Sequence, residues 1–163
     1  MIKLERFIIF INNQQKFAIN ISHVEKIIEY QNPSPIPESS DFLLGVIQNS
    51  GGILPIIDLN KKLYDIDTCH GGDDKIIVII WKDTYLGLAV DEIIGIKGYD
   101  NDKLEKSSLD TQTTISNRYI IGFIKEDEDI TIVLDTDTIF DNSQEEEILN
   151  STEISDDFIG DDE

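Results

Sequence analysis

The 163-residue chain has one cysteine, Cys69, two histidines and four prolines, and only 13 basic residues against 33 acidic ones. A single cysteine excludes an internal disulfide and suits a reducing compartment. The net charge of −20 argues against nucleic acid or an anionic membrane as partner, because phosphate binding needs clustered lysine and arginine. Residues 1–20 alternate in polarity instead of forming an apolar block. No later run approaches the ~18 apolar residues of a membrane span. The expected location is the cytoplasm, without direct membrane insertion.

Catalytic motifs are missing too. There is no P-loop, no Gly-x-Gly-x-x-Gly after a strand and no Gly-x-Ser-x-Gly. Cys69-His70 has no second Cys or His at zinc spacing, and Asp100-Asn101-Asp102 lacks the glycine and distal glutamate of a calcium loop. Paired carboxylates such as Asp73-Asp74 carry no signal in so acidic a chain. The residues predict no enzyme, no cofactor and no metal.

What remains is 40% apolar content, enough for one compact domain or two small barrels. Leu44–Ile47 and Ile53–Ile57 flank Gln48-Asn49-Ser50-Gly51-Gly52, which predicts a β-hairpin turning on glycine. Pro55, having no N–H to donate, suits an edge strand or a barrel lip, and Gly45 leaves room for a bend or another backbone. The pattern returns in Ile121–Ile124 and Ile130–Asp135: Gly45 to Gly122 and Asp58 to Asp135 are both 77 residues apart (122 − 45 and 135 − 58). A looser echo relates Phe17–Ser22 to Leu86–Asp91 at an offset of 69 (86 − 17). Together they indicate a duplicated β unit.

Further hairpins are predicted for Phe7–Ile11 with Lys16–Ile21, and for Lys75–Trp81 with Tyr85–Val90. Ser22-His23-Val24-Glu25 has capping-box spacing and predicts a helical turn through Ile28. Gln31–Pro37 holds three prolines and reads as an extended connector. One helical turn is expected at Asn60–Tyr64, another at Asp135–Phe140, and a long loop with a helical turn at Lys103–Lys106 is expected over Asp100–Asn117. From Asp141 to Glu163 there are ten acidic residues and no basic one. Residues 142–163 therefore read as a solvated tail, disordered or with a short helix over Gln144–Leu149 capped by Ser143, whose removal leaves folding nearly unchanged.

Gly45-Val46-Ile47, then Gly51-x-Ile53-Leu54-Pro55-Ile56-Ile57-Asp58-Leu59, Gly87-Leu88-Ala89-Val90-Asp91, Tyr119-Ile120-Ile121-Gly122 and Leu134-Asp135 occur in this order. The series resembles the CheW family of chemotaxis coupling proteins, from about Phe7 to Phe140. The resemblance implies a mainly β fold over residues 1–141: two SH3-like five-stranded β-barrels with exchanged segments, enclosing a groove. It also implies a non-catalytic adaptor joining the cytoplasmic tips of methyl-accepting chemoreceptors to the regulatory domain of a CheA-type histidine kinase, recruited to membrane receptor arrays. By position, Val24, Lys26 and Ile27 match one family contact segment, and Gly45, Val46 and Ser50 match the Gly-Val-x-Asn-Leu-Arg-Gly stretch. Gln48-Asn49-Ser50 stands where the family has Asn-Leu-Arg, and Lys26 where it commonly has Glu. A diverged scaffold in another two-component pathway, or a small-ligand-binding β-barrel, is the alternative reading.

Overall fold

The computed structural model of the chain describes residues 4–106 and 118–160. In chain order the strands are β1 (Leu4–Asn12), β2 (Gln15–Asn20), β3 (Val24–Glu29), β4 (Leu43–Asn49), β5 (Gly52–Asp58), β6 (Lys75–Trp81), β7 (Thr84–Val90), β8 (Glu92–Asp100), β9 (Leu104–Lys106), β10 (Ile120–Glu126) and β11 (Asp129–Leu134). Helix α1 spans Leu59–Tyr64 and α2 spans Asn142–Gly160. Tight two-residue turns join three hairpins, with positive φ at Asn13 and Gln14, at Ser50 and Gly51, and at Lys82 and Asp83. Left-handed pairs of this kind match the twist of the flanking strands. Glycine supplies only one of the six positions, so the β1–β2 and β6–β7 turns carry side chains where glycine is the comfortable choice.

The chain divides into two compact units, the described residues up to Val24 with Asp91–Ile139, and Glu25–Val90 with those from Phe140 onward. The first contains a sheet of order β8-β1-β2-β11-β10-β9, the second a sheet of order β3-β6-β7-β5-β4. Segments are exchanged as expected: β3 follows β2 in sequence but pairs in the second sheet, and β8 follows β7 but returns to β1. The duplication extends to register. Ile56 pairs in parallel with Gly87, and Val133 in parallel with Ala18. Adding 77 to Ile56 and taking 69 from Gly87 converts the first pair into the second. Both repeat glycines, Gly45 and Gly122, adjoin a register shift between the strands of their hairpins.

In the first unit Phe7, Ile9, Ala18, Ile124 and Val133 form a core with Tyr99, whose hydroxyl donates to Glu126 Oε1 at 2.8 Å. Burial and then that carboxylate push the phenol up to about 12. In the second unit Ile47, Leu54, Ile56, Ile76, Val78 and Ala89 form the core. Pro55 lies in β5, an inner strand and not an edge. It faces Val46, whose N–H and C=O both turn away to Ser34 at 3.0 and 2.9 Å. Pro55 therefore owes β4 no hydrogen bond, and the ladder to β7 begins one residue later, at Ile56.

Four further expectations are corrected. Ser22–Glu25 starts no helix: Asn20 caps a single 3₁₀ turn over Ile21–His23, and Val24–Glu29 is a strand. Its β-branched residues alternate between half-buried and exposed, a period-2 pattern that outweighs the capping spacing. Lys103–Lys106 is not a helical turn either, since Leu104–Lys106 pairs with β10 and gives the first sheet a sixth strand; residues 107–117 lie outside the described residues. Asp135–Phe140 forms turns and no helix, Asp135 Oδ1 accepting from Asp137 N at 3.0 Å. Its counterpart Asp58 does cap α1, accepting from Lys61 N at 3.3 Å. Thr136 and Thr138, β-branched, stand where α1 has good helix formers.

The acidic segment is the fourth. It is helical from Asn142 to Gly160, and its cap is Asp141, not Ser143. Asp141 Oδ1 accepts from Gln144 N at 2.8 Å while Gln144 Oε1 accepts from Asp141 N at 3.0 Å, a reciprocal capping box. The first turns of α2 are docked within the second unit. Ile148 is 1% exposed, Glu147 accepts from Ser40 N and Oγ at 2.6 Å each, and Lys82 Nζ lies 3.3 Å from Glu145. Just before the helix, Phe140 stacks on Phe42 and meets Trp81 edge-on.

Candidate partner-binding site

Strand β3 presents alternate residues to opposite faces, with Lys26 and Ile28 half-buried and Glu25, Ile27 and Glu29 exposed. Ile28 packs against the core of the second unit. Lys26, two residues away on the same face, donates through Nζ to Ser50 Oγ at 2.8 Å and Asn49 Oδ1 at 3.3 Å. β3 and β4 are the two outer strands of this sheet. A side-chain bond between them means that the sheet curls until its edges approach, a barrel-like form joined here by side chains.

Where the edges meet, a groove of about 220 Å³ opens, lined by Glu25 and Lys26 of β3, Asn49 and Ser50 at the hairpin tip, Leu54, Val78 and Tyr85. Leu54 and Val78 belong to the core of this unit. The groove is thus the open end of that core. Tyr85 is 49% exposed, and directly across the β6–β7 ladder Ile80 is 43% exposed. Ile80 shares the face of Ile76 and Val78, so the apolar inner face of the sheet runs out to solvent through this pair. An apolar floor beside a tyrosine and a lysine is an arrangement for protein contact.

Of the residues singled out from sequence, Lys26 and Ser50 come together at 2.8 Å on the rim. Ile27, 40% exposed, is a surface residue on the opposite face of β3 from Lys26. Gly45 and Val46 lie away from the hairpin tip, where Val46 is bridged to the connector at Ser34. Val24 opens β3 and is grouped with the first unit. Tyr85 and Ile80 were not singled out. The shared strand face of Ile76, Val78 and Ile80 was available in the sequence, but the hairpin register that sets Tyr85 opposite Ile80 was not.

Comparison with known proteins agrees with this architecture. Residues 6–144 match the family model for the CheW-like domain. The chain is 27% identical over 139 residues to the chemotaxis protein CheW of Bacillus subtilis, covering 84% of this chain and 87% of that one. It is 28% identical over 129 residues to CheW of Thermotoga maritima, covering 79% and 83%. The crystal structure of the scaffolding protein TtCheW from Thermoanaerobacter tengcongensis superposes with a TM-score of 0.75 at 22% identity, over 87% of this chain and 96% of that one. With a family model matching most of its length and the exchanged two-sheet fold beneath it, the chain belongs to the CheW-like domain family.

Proposed function

We propose that the protein is a non-catalytic coupling adaptor of a chemotaxis pathway, joining the cytoplasmic tip of a methyl-accepting receptor to the regulatory domain of a CheA-type kinase. The observation that carries this reading is the open apolar end of the second unit, where Ile80, Tyr85 and the groove beside Lys26 offer a ready contact surface on a chain with CheW relatives. A diffusible adaptor recruited to receptors at the membrane accords with the described residues, among which no helix is long and apolar enough to cross a membrane. The test is binding of the purified full chain to a kinase regulatory domain and to a receptor-tip fragment. Tyr85→Ala and Ile80→Asp are each expected to weaken one of these by at least about tenfold, the range of an interface anchor, with thermal melts near wild type. Unchanged affinity for both partners would reject the site.

The bond from Lys26 to Ser50 supports a second expectation. Family members commonly carry an acid and an arginine at these two positions, whereas here the cation and its partner have changed places in kind. Ser50→Arg sets a second cation against Lys26 and is expected to weaken partner binding, while Lys26→Glu combined with Ser50→Arg restores much of it. A double-mutant cycle of affinity, repeated at high salt, reads the coupling. Additivity within ~0.3 kcal/mol would show that the two sites act separately, and would favour a changed partner, as in a scaffold of another two-component pathway.

A further inference from the structure

A second polar cluster in the same unit is separate from the groove. His70, in the loop between α1 and β6, has a side chain only 2% exposed. Its Nε2 lies 3.2 Å from Asp58 Oδ1, at the end of β5, and its Nδ1 lies 3.0 Å from Asp74 Oδ2, just before β6. The ring stacks on Tyr30, just beyond β3, with centroids 5.3 Å apart. Tyr30 N also donates to the Asp74 backbone oxygen at 3.1 Å, and Gly71 N to Asp74 Oδ2 at 3.2 Å. The imidazole is therefore the piece against which the loop, the end of β5 and the end of β3 are all held.

We propose that His70 is a proton-operated latch that fastens the loop over residues 65–74 to the end of β3 when its ring is doubly protonated, and loosens it when the ring is neutral. The geometry points to this, with a carboxylate oxygen within 3.2 Å of each ring nitrogen. A neutral imidazole has one N–H and one lone pair, so with a carboxylate at each nitrogen one lone pair faces a carboxylate oxygen. Nδ1 is hydrogen-bonded to Asp74, while Nε2 is buried within ion-pair distance of Asp58 Oδ1 without a hydrogen bond of its own, so a proton on Nε2 meets an opposite charge where a bare lone pair would be repelled. Burial opposes the charge, but Asp58 and then Asp74 outweigh it, so the balance lies above the ordinary value of 6.5. Tyr30, the remaining titratable group against the ring, is itself pushed above its ordinary value by burial and by the same two aspartates, so it stays a phenol while His70 titrates.

The sign follows from linkage. With the closed-state value raised above the open-state one, the latch is at full strength below about pH 6.5. It weakens by up to about tenfold per pH unit between there and the raised value, and contributes nothing above it. The sloping part begins just above about pH 6.5, and what loosens along it is the anchorage of the strand that carries Lys26 and Ile27.

The experiment uses the full chain, with His70 titrated by NMR and amide exchange followed from pH 6 to 9, read as protection factors for Tyr30 and residues 66–74. The expected result is a ring that titrates above 6.5 and protection of the Tyr30 amide that falls as it does so. In His70→Gln that pH dependence disappears. Asp74→Asn, which keeps the ring and removes one carboxylate, lowers the ring's titration point and narrows the sloping range, and it serves if the glutamine variant fails to fold. A ring titrating at or below 6.5, or protection with the same pH dependence in the variants, would overturn the latch.

Discussion

Replacing Ile148 by Asp is expected to cost at least about 4 kcal/mol of stability in chemical denaturation, on the scale of a whole domain's ~5–15 kcal/mol. Its side chain is 1% exposed on the docked face of α2. The substitution forfeits roughly 2–3 kcal/mol of apolar burial and buries a carboxylate where a fully enclosed apolar side chain stood. Glu146, on the exposed face of the same helix, is the control. Glu146→Ala is expected to shift stability by less than about 0.5 kcal/mol. Equal, small effects at both positions would return the acidic segment to the solvated tail that its composition suggests.

Gly45→Val is expected to be nearly as damaging, about 3 kcal/mol or more. At φ +143° a side chain is strained whatever the space, and here a Cβ would also overlap the carbonyl oxygen of Ser34 and sit 3.0 Å from Pro35 Cα. Those are backbone atoms of the proline connector, held by the paired hydrogen bonds between Ser34 and Val46. Relieving the overlap means giving up those bonds, at about 1 kcal/mol each, on top of the backbone strain of roughly 1–2 kcal/mol. Gly98→Ala supplies the contrast, its added methyl meeting nothing closer than the Arg6 side chain at 3.7 Å. A loss at Gly45 no larger than at Gly98 would mean that the connector yields freely.

The repeat was legible because it is written in residues whose chemistry is local. Gly45 and Gly122 adjoin register shifts, and the two Ile-rich hairpins carry their alternation openly. The exchange of β3 and β8 was not legible in that way, since strand partners are set by tertiary packing and no spacing announces them. The docking of α2 was hidden for a different reason. Among its described residues the fully buried apolar side chain is Ile148, between Gln144 and Ser151, and the helix is held by the carboxylates of Glu145 and Glu147. A count of acidic residues cannot tell a carboxylate that meets Ser40 from one that meets water. Half of the candidate site was visible: Lys26 and Ser50 were singled out, but Tyr85 needed the register of the β6–β7 hairpin. His70 looked inert because its partners, Asp58 and Asp74, are ordinary residues until the loop folds back.

The exchanged strands also set a timetable for synthesis. β3 to β7 leave the ribosome as one unbroken stretch, so the second sheet has all its strands soon after Val90 is made. The β1–β2 hairpin, made before them, must wait. Its partner on one side, β8, comes after the whole second sheet, and on the other side Lys16 pairs with Thr131, 115 positions later (131 − 16). An isolated two-stranded hairpin is marginal in water, and this one carries buried residues at Phe7, Ile8, Ile9 and Phe10 in succession. Through most of elongation it is an unprotected sticky edge, and closing so long a loop makes its completion the slow step. The β1–β2 hairpin is therefore among the last segments to reach its native partners, and its exposure grows with any pause between codons 24 and 129.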